Sequence, residues 1–206
     1  MNYRAEIEKI FEGKAFIRPL FYNYAGGLRF ELSEGGDFIN QFTTAHRKAI
    51  DICRFVFSDS ENITVCVKIF GGKSVLSILQ SFRELKNAGL YPTNDKQHWT
   101  VFDAEWGDDE TYSNSSWHYI AFSIPIELLP NVLWCALATD IVCIEPRVEA
   151  SFYLFDLKQK LMVWPYDDRG MDIVGPNHHL LSSIYNKFNN YLLDYDRDEM
   201  NAVFEK

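Results

Sequence analysis

The chain has 206 residues, of which 47% are hydrophobic and 16% aromatic, and its formal net charge is −9. This composition excludes a disordered chain, because it supplies enough apolar surface to bury a core. The negative charge repels nucleic acid and anionic membranes, so we expect neither as a partner, whereas a basic protein or a cation is favoured.

The N-terminal part of the sequence predicts a helix followed by a β-hairpin. Residues 3–12 carry apolar side chains at helical spacing, and Gly13 closes this pattern. In "PLFYNYAGGLRFELS", two runs of β-forming residues at Leu20–Tyr24 and Leu28–Leu32 flank a Gly-Gly pair. Glycine can adopt the positive φ that tight hairpin turns require, so we expect these two runs to pair with each other.

The next segments predict two helices and three strands. "DFINQFTTAHRKAIDICRFVF" repeats apolar residues at three- and four-residue steps, and Asp37 is a suitable N-terminal cap. The β-branched stretch "NITVCVKIF" predicts a buried strand, and "KSVLSILQSFRELKNAG" predicts a helix that ends at Gly89. "HWTVFD" and "WHYIAFSI" predict two more strands, joined by a loop longer than most hairpin connections.

The C-terminal part predicts a short helix, a three-stranded meander and two final helices. The short helix lies in "PIELLPNVLWCALATD", where Pro130 either occupies the first turn or breaks the helix. The meander strands are expected at Glu149–Asp156, Lys160–Tyr166 and Met171–Val174. A helix capped by Asn177 and a short helix in "RDEMNAVFE" follow.

These elements predict an α+β fold, with a largely antiparallel sheet and helices packed on it. No repeat or linker interrupts the sequence, so we expect one domain over residues 1–206; two half-domains meeting near Asp95 are the alternative. The N-terminus lacks a signal pattern, and no apolar run approaches the roughly 20 residues that span a bilayer, which predicts a cytoplasmic protein.

The cysteines and histidines do not indicate a metal site. Each of the four cysteines, at positions 53, 66, 135 and 143, has apolar neighbours and is expected to be a buried free thiol. The histidines form no HExxH or HxH pattern, and no G-x-S-x-G elbow is present. "IFGGKSV", Ile69–Val75, resembles a phosphate-binding loop, but it is too short to enclose a triphosphate. We therefore expect no cofactor and favour binding over catalysis.

The negative charge is concentrated in one segment, about a quarter of the chain. Residues 97–146 contain eight acids and no Lys or Arg, which gives this segment a charge of −8. An aromatic residue surrounded by acids is typical of an interface anchor, although Trp106 could instead fold onto the core, and the acids could instead gather a divalent cation. The candidate partner-binding residues are Asp103, Glu105, Trp106, Asp108, Asp109, Glu110 and Tyr112.

Two segments near the C-terminus combine aspartate with arginine. A structural interpretation is a turn made by Asp167, Asp168 and an αL Gly170, with ion pairs from Arg169 to Asp194 or Asp196 and from Arg197 to Asp167 or Asp168. The alternative is a metal-dependent hydrolase or phosphoesterase, in which Asp167, Asp168 and Asp172 hold Mg²⁺ or Mn²⁺ and Arg169 holds an anion.

Four segments of the sequence resemble a known protein family, which indicates a related fold but no activity. "YNYAGGLRFEL", "AHRKAIDICRFVFSDSENITV", "YDDRGMDIV" and "LLDYDR" resemble a bacterial family known as domain of unknown function 3885 (DUF3885). The resemblance runs from about Leu20 to the C-terminus but does not include Asp103–Ser116. Small acidic bacterial proteins of this kind are often immunity proteins, so by analogy we expect a cytoplasmic interaction protein that neutralises a basic partner, such as a toxin.

Overall fold

The computed structural model describes residues 1–71, 75–92, 94–102 and 116–205. Within these ranges the strands form one antiparallel sheet in the order β1-β7-β6-β5-β2-β4-β3. The strands are β1 (Leu28–Glu31), β2 (Asn62–Gly71), β3 (Gln97–Phe102), β4 (Ser116–Pro125), β5 (Ser151–Asp156), β6 (Leu161–Asp167) and β7 (Gly170–Val174). This sheet confirms the α+β prediction.

The helices follow the predicted positions closely. They are α1 (Tyr3–Ile10), α2 (Phe38–Val56), α3 (Val75–Asn87), α4 (Leu129–Leu137), α5 (His178–Lys187) and α6 (Arg197–Phe204). Asp37 caps α2 by accepting from the backbone N–H groups of Ile39 and Asn40, and Asn177 caps α5 by accepting from Leu180. These side chains satisfy backbone N–H groups that the first turn of a helix leaves unpaired, and both predicted caps are confirmed.

The sheet separates two hydrophobic cores, because alternate residues of each strand point to opposite faces. The larger core packs α2, α4 and α5 against one face, with Phe122, Leu154 and Val163 among its strand residues. The smaller core packs α1 and the chain up to Leu20 against the other face, where it meets Tyr153 and Trp164.

Strands on both sides of Asp95 belong to this sheet, since β2 pairs with β4 and with β5. The one-domain arrangement remains our prediction. In the part of the chain described, no helix combines the length and apolarity needed to cross a bilayer.

The predicted N-terminal hairpin is wrong. Phe21–Asn23 forms a 3₁₀ turn, and β1 pairs with β7 instead of with the preceding residues. A long-range contact holds this segment away from β1: the Phe21 backbone N–H donates to the Asp172 carboxylate. The Gly-Gly pair still makes the turn into β1, with Gly26 at a φ of +78°.

The cysteine prediction holds at three positions and fails at one. Cys53, Cys66 and Cys135 are buried free thiols, and burial raises the pKa of each. Cys143 is exposed, because it lies in the segment after α4 where the neighbouring Val142 also faces solvent.

Candidate functional site

A buried ion-pair network joins the first strand, the last strand and the C-terminal segment. Arg29 on β1 lies opposite Asp172 on β7, and the two make a bidentate pair with N–O distances of 2.8 and 3.0 Å. The remaining Arg29 nitrogen, Nη1, donates to Asp196 at 3.0 Å. Asp172 is 0% exposed, so this pair is shielded from water far better than a surface salt bridge.

Aromatic residues and a backbone amide complete the network. The Tyr22 hydroxyl donates to Asp196 at 2.6 Å, and the Phe21 N–H donates to Asp172 at 3.1 Å. The Arg29 guanidinium also lies 4.9 and 5.0 Å from the ring centroids of Phe21 and Tyr22. Each charge therefore has several partners, as a buried ion pair requires.

The network shifts the pKa values of its members. Burial acts to lower the pKa of Arg29, but the hydrogen bonds and charge of Asp172 outweigh it, so that pKa is raised. Burial raises the pKa of Asp172, while Arg29 acts in the opposite direction. The hydrogen bond to Asp196 raises the pKa of the Tyr22 phenol.

The Asp-Asp-Arg-Gly turn between β6 and β7 is self-contained. Arg169 donates to the Asp167 carboxylate through its backbone N–H and its guanidinium. Burial, reinforced by the charge of Asp167, raises the pKa of Asp168. Gly170 does not adopt the αL conformation that we predicted. Glycine is required at this position for another reason: a Cβ would collide with the Tyr166 hydroxyl and approach the Phe30 carbonyl oxygen to 2.9 Å.

The predicted cross-pairing of the two Asp–Arg segments is wrong. Arg169 pairs with Asp167 in its own turn, and Arg197 pairs with Asp194, while also donating to the carbonyl oxygens of Asn189 and Leu192. The residue that joins the two segments is Arg29, which the sequence analysis missed. Its available signal was a charge placed between apolar residues in "LRFEL".

The opposite edge of the sheet, formed by β3, ends in exposed apolar residues. β3 pairs with β4 on one side, and no other described strand pairs with its outer side. Phe102, its last residue, is 78% exposed, and Val101 is also exposed. The candidate residues Asp103, Glu105, Trp106, Asp108, Asp109, Glu110 and Tyr112 follow directly and lie outside the described residues.

Two histidines also meet on this edge. His98 on β3 and His118 on β4 stack with their ring centroids 5.2 Å apart, and His98 Nε2 lies 3.0 Å from His118 Nδ1. Burial, with the neighbouring His98, lowers the pKa of His118. This pair was not predicted from the sequence, because the two residues are 20 positions apart and form no motif.

A family model described as a domain of unknown function (DUF3885) matches residues 3–196. The chain belongs to this family. The match confirms the family that the resemblance indicated, begins earlier, at α1, and ends at residue 196 instead of at the C-terminus. Comparisons with curated proteins and with solved structures found no match.

The geometry of the DUF3885 chain favours a structural role for its aspartates. Both Asp172 oxygens accept from Arg29, and one also accepts from the Phe21 amide, so neither faces an open coordination site. Over the described ranges, no group of three or more His, Cys, Asp or Glu residues is arranged to hold a metal ion. Asp167 and Asp172 are thus occupied by their contacts with Arg169 and Arg29.

Proposed function

We propose that this protein is a cytoplasmic interaction module that binds and neutralises a basic protein partner, as an immunity protein does. The observation that carries the proposal is the β3 edge, which no described strand covers and whose exposed apolar end runs directly into an acidic sequence without bases. The partner-binding residues would be the seven candidates between Asp103 and Tyr112, together with Val101 and Phe102.

The edge offers a backbone surface for pairing. A strand with one free side presents a row of N–H and C=O groups, and proteins usually protect such edges with charges, proline or a covering segment. β3 ends instead in Thr100, Val101 and Phe102, which are all exposed. An extended segment of the partner could add to this edge, with backbone hydrogen bonds supplying affinity.

The adjoining charge supplies selectivity. Five acids lie between Asp103 and Glu110, and the chain carries no Lys or Arg from Gln97 to Pro146. Complementary charge accelerates encounter with a basic protein and penalises acidic competitors. Trp106 and Tyr112 would supply the aromatic anchors on which binding energy concentrates.

The test is a calorimetric titration against the basic proteins encoded beside this chain in its genome. The triple variant Trp106→Ala, Asp108→Ala, Asp109→Ala should weaken binding by about tenfold or more, because it removes an anchor and two charges. The matched control is Tyr195→Ala, Asp59→Ala, Glu61→Ala, which removes one exposed aromatic and two exposed acids elsewhere. Equal affinities of both triple variants and the unmodified protein would contradict the proposal.

A further inference from the structure

A cleft with a basic lining opens on the sheet face that carries the smaller core. Its volume is about 460 Å³, and its lining includes Arg18, Arg29, Ser151, Trp164 and Arg169. A second cleft of about 400 Å³, lined by Lys68 and Arg147 among others, shares Thr139, Ala150 and Ser151 with it. Three arginines in one cleft are unexpected in a chain with a net charge of −9.

Arg18 is held in a fixed orientation without a carboxylate. Its guanidinium lies 4.6 Å from the centroid of the Trp164 ring. Its Nε donates to the Tyr153 hydroxyl, and its Nη2 donates to the hydroxyls of both Tyr153 and Ser151. Across the described residues, no Asp or Glu forms a salt bridge with it, and its Nη1 donates to no acceptor. A guanidinium that neutral groups orient and that no carboxylate neutralises is suited to bind an anion.

A second arginine lies in the same lining. The Arg169 side chain is 73% exposed, and among the described residues its guanidinium donates only to Asp167, through Nε and Nη2. An anionic ligand in the cleft would give the Nη1 atoms of Arg18 and Arg169 an acceptor that the described residues do not supply. The Trp164 ring lies beneath the Arg18 guanidinium, and its buried indole N–H, which has no partner among the described residues, senses changes at Arg18 without touching a ligand.

We propose that this cleft binds a small phosphorylated metabolite, whose phosphate group accepts from Arg18 and Arg169. Guanidinium groups match the oxygens of a phosphate in geometry and charge, and the volume falls within the usual range for small-molecule sites. Asp167 in this cleft and Asp140 and Glu149 in the adjoining one add negative charge. These carboxylates disfavour a polyanion such as nucleic acid, so a single phosphate group is the favoured ligand.

Binding is tested with three probes at constant ionic strength: inorganic phosphate, glucose 6-phosphate and glucose. Saturable binding of glucose 6-phosphate, with weaker binding of phosphate and none of glucose, is the expected result; tighter binding of phosphate would assign the site to the free anion.

Arg18→Gln should weaken binding by about tenfold or more, and Arg18→Lys by less, because lysine keeps the charge without the planar fork. Arg54→Gln, at an exposed position on α2, is the charge-matched control.

The Trp164 indole N–H provides a local readout by ¹H–¹⁵N correlation spectroscopy. Its signal, assigned with Trp164→Phe, should move on titration while that of Trp134, which lies outside both clefts, stays fixed. Absence of saturable binding by any phosphate probe would overturn the proposal. So would equal weakening by Arg18→Gln and Arg54→Gln in folded variants, or movement of the Trp134 signal without that of Trp164.

Discussion

The two edges of the sheet differ in how much of the described chain covers them. At the β1 edge, Leu192 forms a bridge to Phe30, the Leu193 amide donates to the Arg29 carbonyl, and the Arg29 amide donates to Met200 Sδ. At the β3 edge, the chain described leaves the outer side of the strand unpaired, and Val101 and Phe102 face solvent.

This difference separates fold-bracing charge from charge available for recognition. Near the β1 edge, Asp172 and Asp196 pair with Arg29, Asp167 pairs with Arg169, and Asp194 pairs with Arg197. The acids after β3 lie in a stretch without any base of its own. An acidic segment without bases beside a strand edge suits a basic partner, whereas paired buried charge suits a closed edge.

The largest expected effect comes from breaking the closed edge. Arg29→Met leaves two buried carboxylates without their cation, and should lower the free energy of unfolding by about 3–5 kcal/mol. Arg169→Met removes a mostly exposed arginine, and its buried partner Asp167 keeps the backbone N–H of residue 169 as a donor, so this change should cost less, about 1–2 kcal/mol. Urea denaturation measures both values.

A second variant separates the ion pair from its packing. Arg29→Met combined with Asp172→Leu should recover much of the loss, because it no longer leaves Asp172 as an uncompensated buried charge. If Arg29→Met and Arg169→Met cost the same, the β1 edge is not braced by this network.

The next effect compares one residue type at the two edges. Phe30 is 0% exposed and Phe102 is 78% exposed. Phe30→Ala should therefore cost about 3 kcal/mol or more by leaving a cavity. Phe102→Ala should change stability by less than about 0.5 kcal/mol but weaken binding of the basic partner. A large stability loss for Phe102→Ala would show that its edge is packed.

The sequence was sufficient for elements that local forces determine. Asp37 and Asn177 were predicted as caps because a cap needs only nearby amides, and the meander was predicted because its strands adjoin along the chain. Residues 20–24 were mispredicted because the Phe21 amide finds its acceptor 151 positions away, on Asp172. A local pattern carries no information about that partner.

The candidate site was predictable in composition but not in pairing. The sequence analysis proposed Asp172 as a metal ligand and Asp196 as an ion-pair partner, yet the cation that they share, Arg29, is 143 and 167 positions distant from them. Arg169 and Arg197 found acceptors within their own turns, which their neighbouring aspartates had made available. For Arg169 and Arg197, an aspartate nearby in the sequence was therefore the partner, instead of the more distant aspartates that we had expected.

The smallest expected effect is a pH dependence at the closed edge. The hydrogen bond to Asp196 raises the pKa of Tyr22 above its ordinary value of 10.0. The folded state holds this proton more tightly, so the stability it supplies is present below pH 10.0 and is lost as the pH rises through the folded pKa. Between about pH 9 and 11.5, the unmodified protein should lose stability more steeply than Tyr22→Phe.

Tyr195→Phe, at an exposed phenol, is the control for this comparison. Its stability profile should parallel that of the unmodified protein. A Tyr22→Phe profile that is also parallel would show that the Tyr22–Asp196 hydrogen bond does not couple the edge to pH.

Amide hydrogen exchange in the isolated protein tests the contrast between the edges most directly. The Arg29 amide, which points outward from β1 to Met200, should exchange only at the slow rate set by global unfolding. Within β3, the amides that face away from β4 should exchange faster by roughly three orders of magnitude or more, through local opening near zero free energy. Equal, slow exchange at both edges would contradict an open β3 edge.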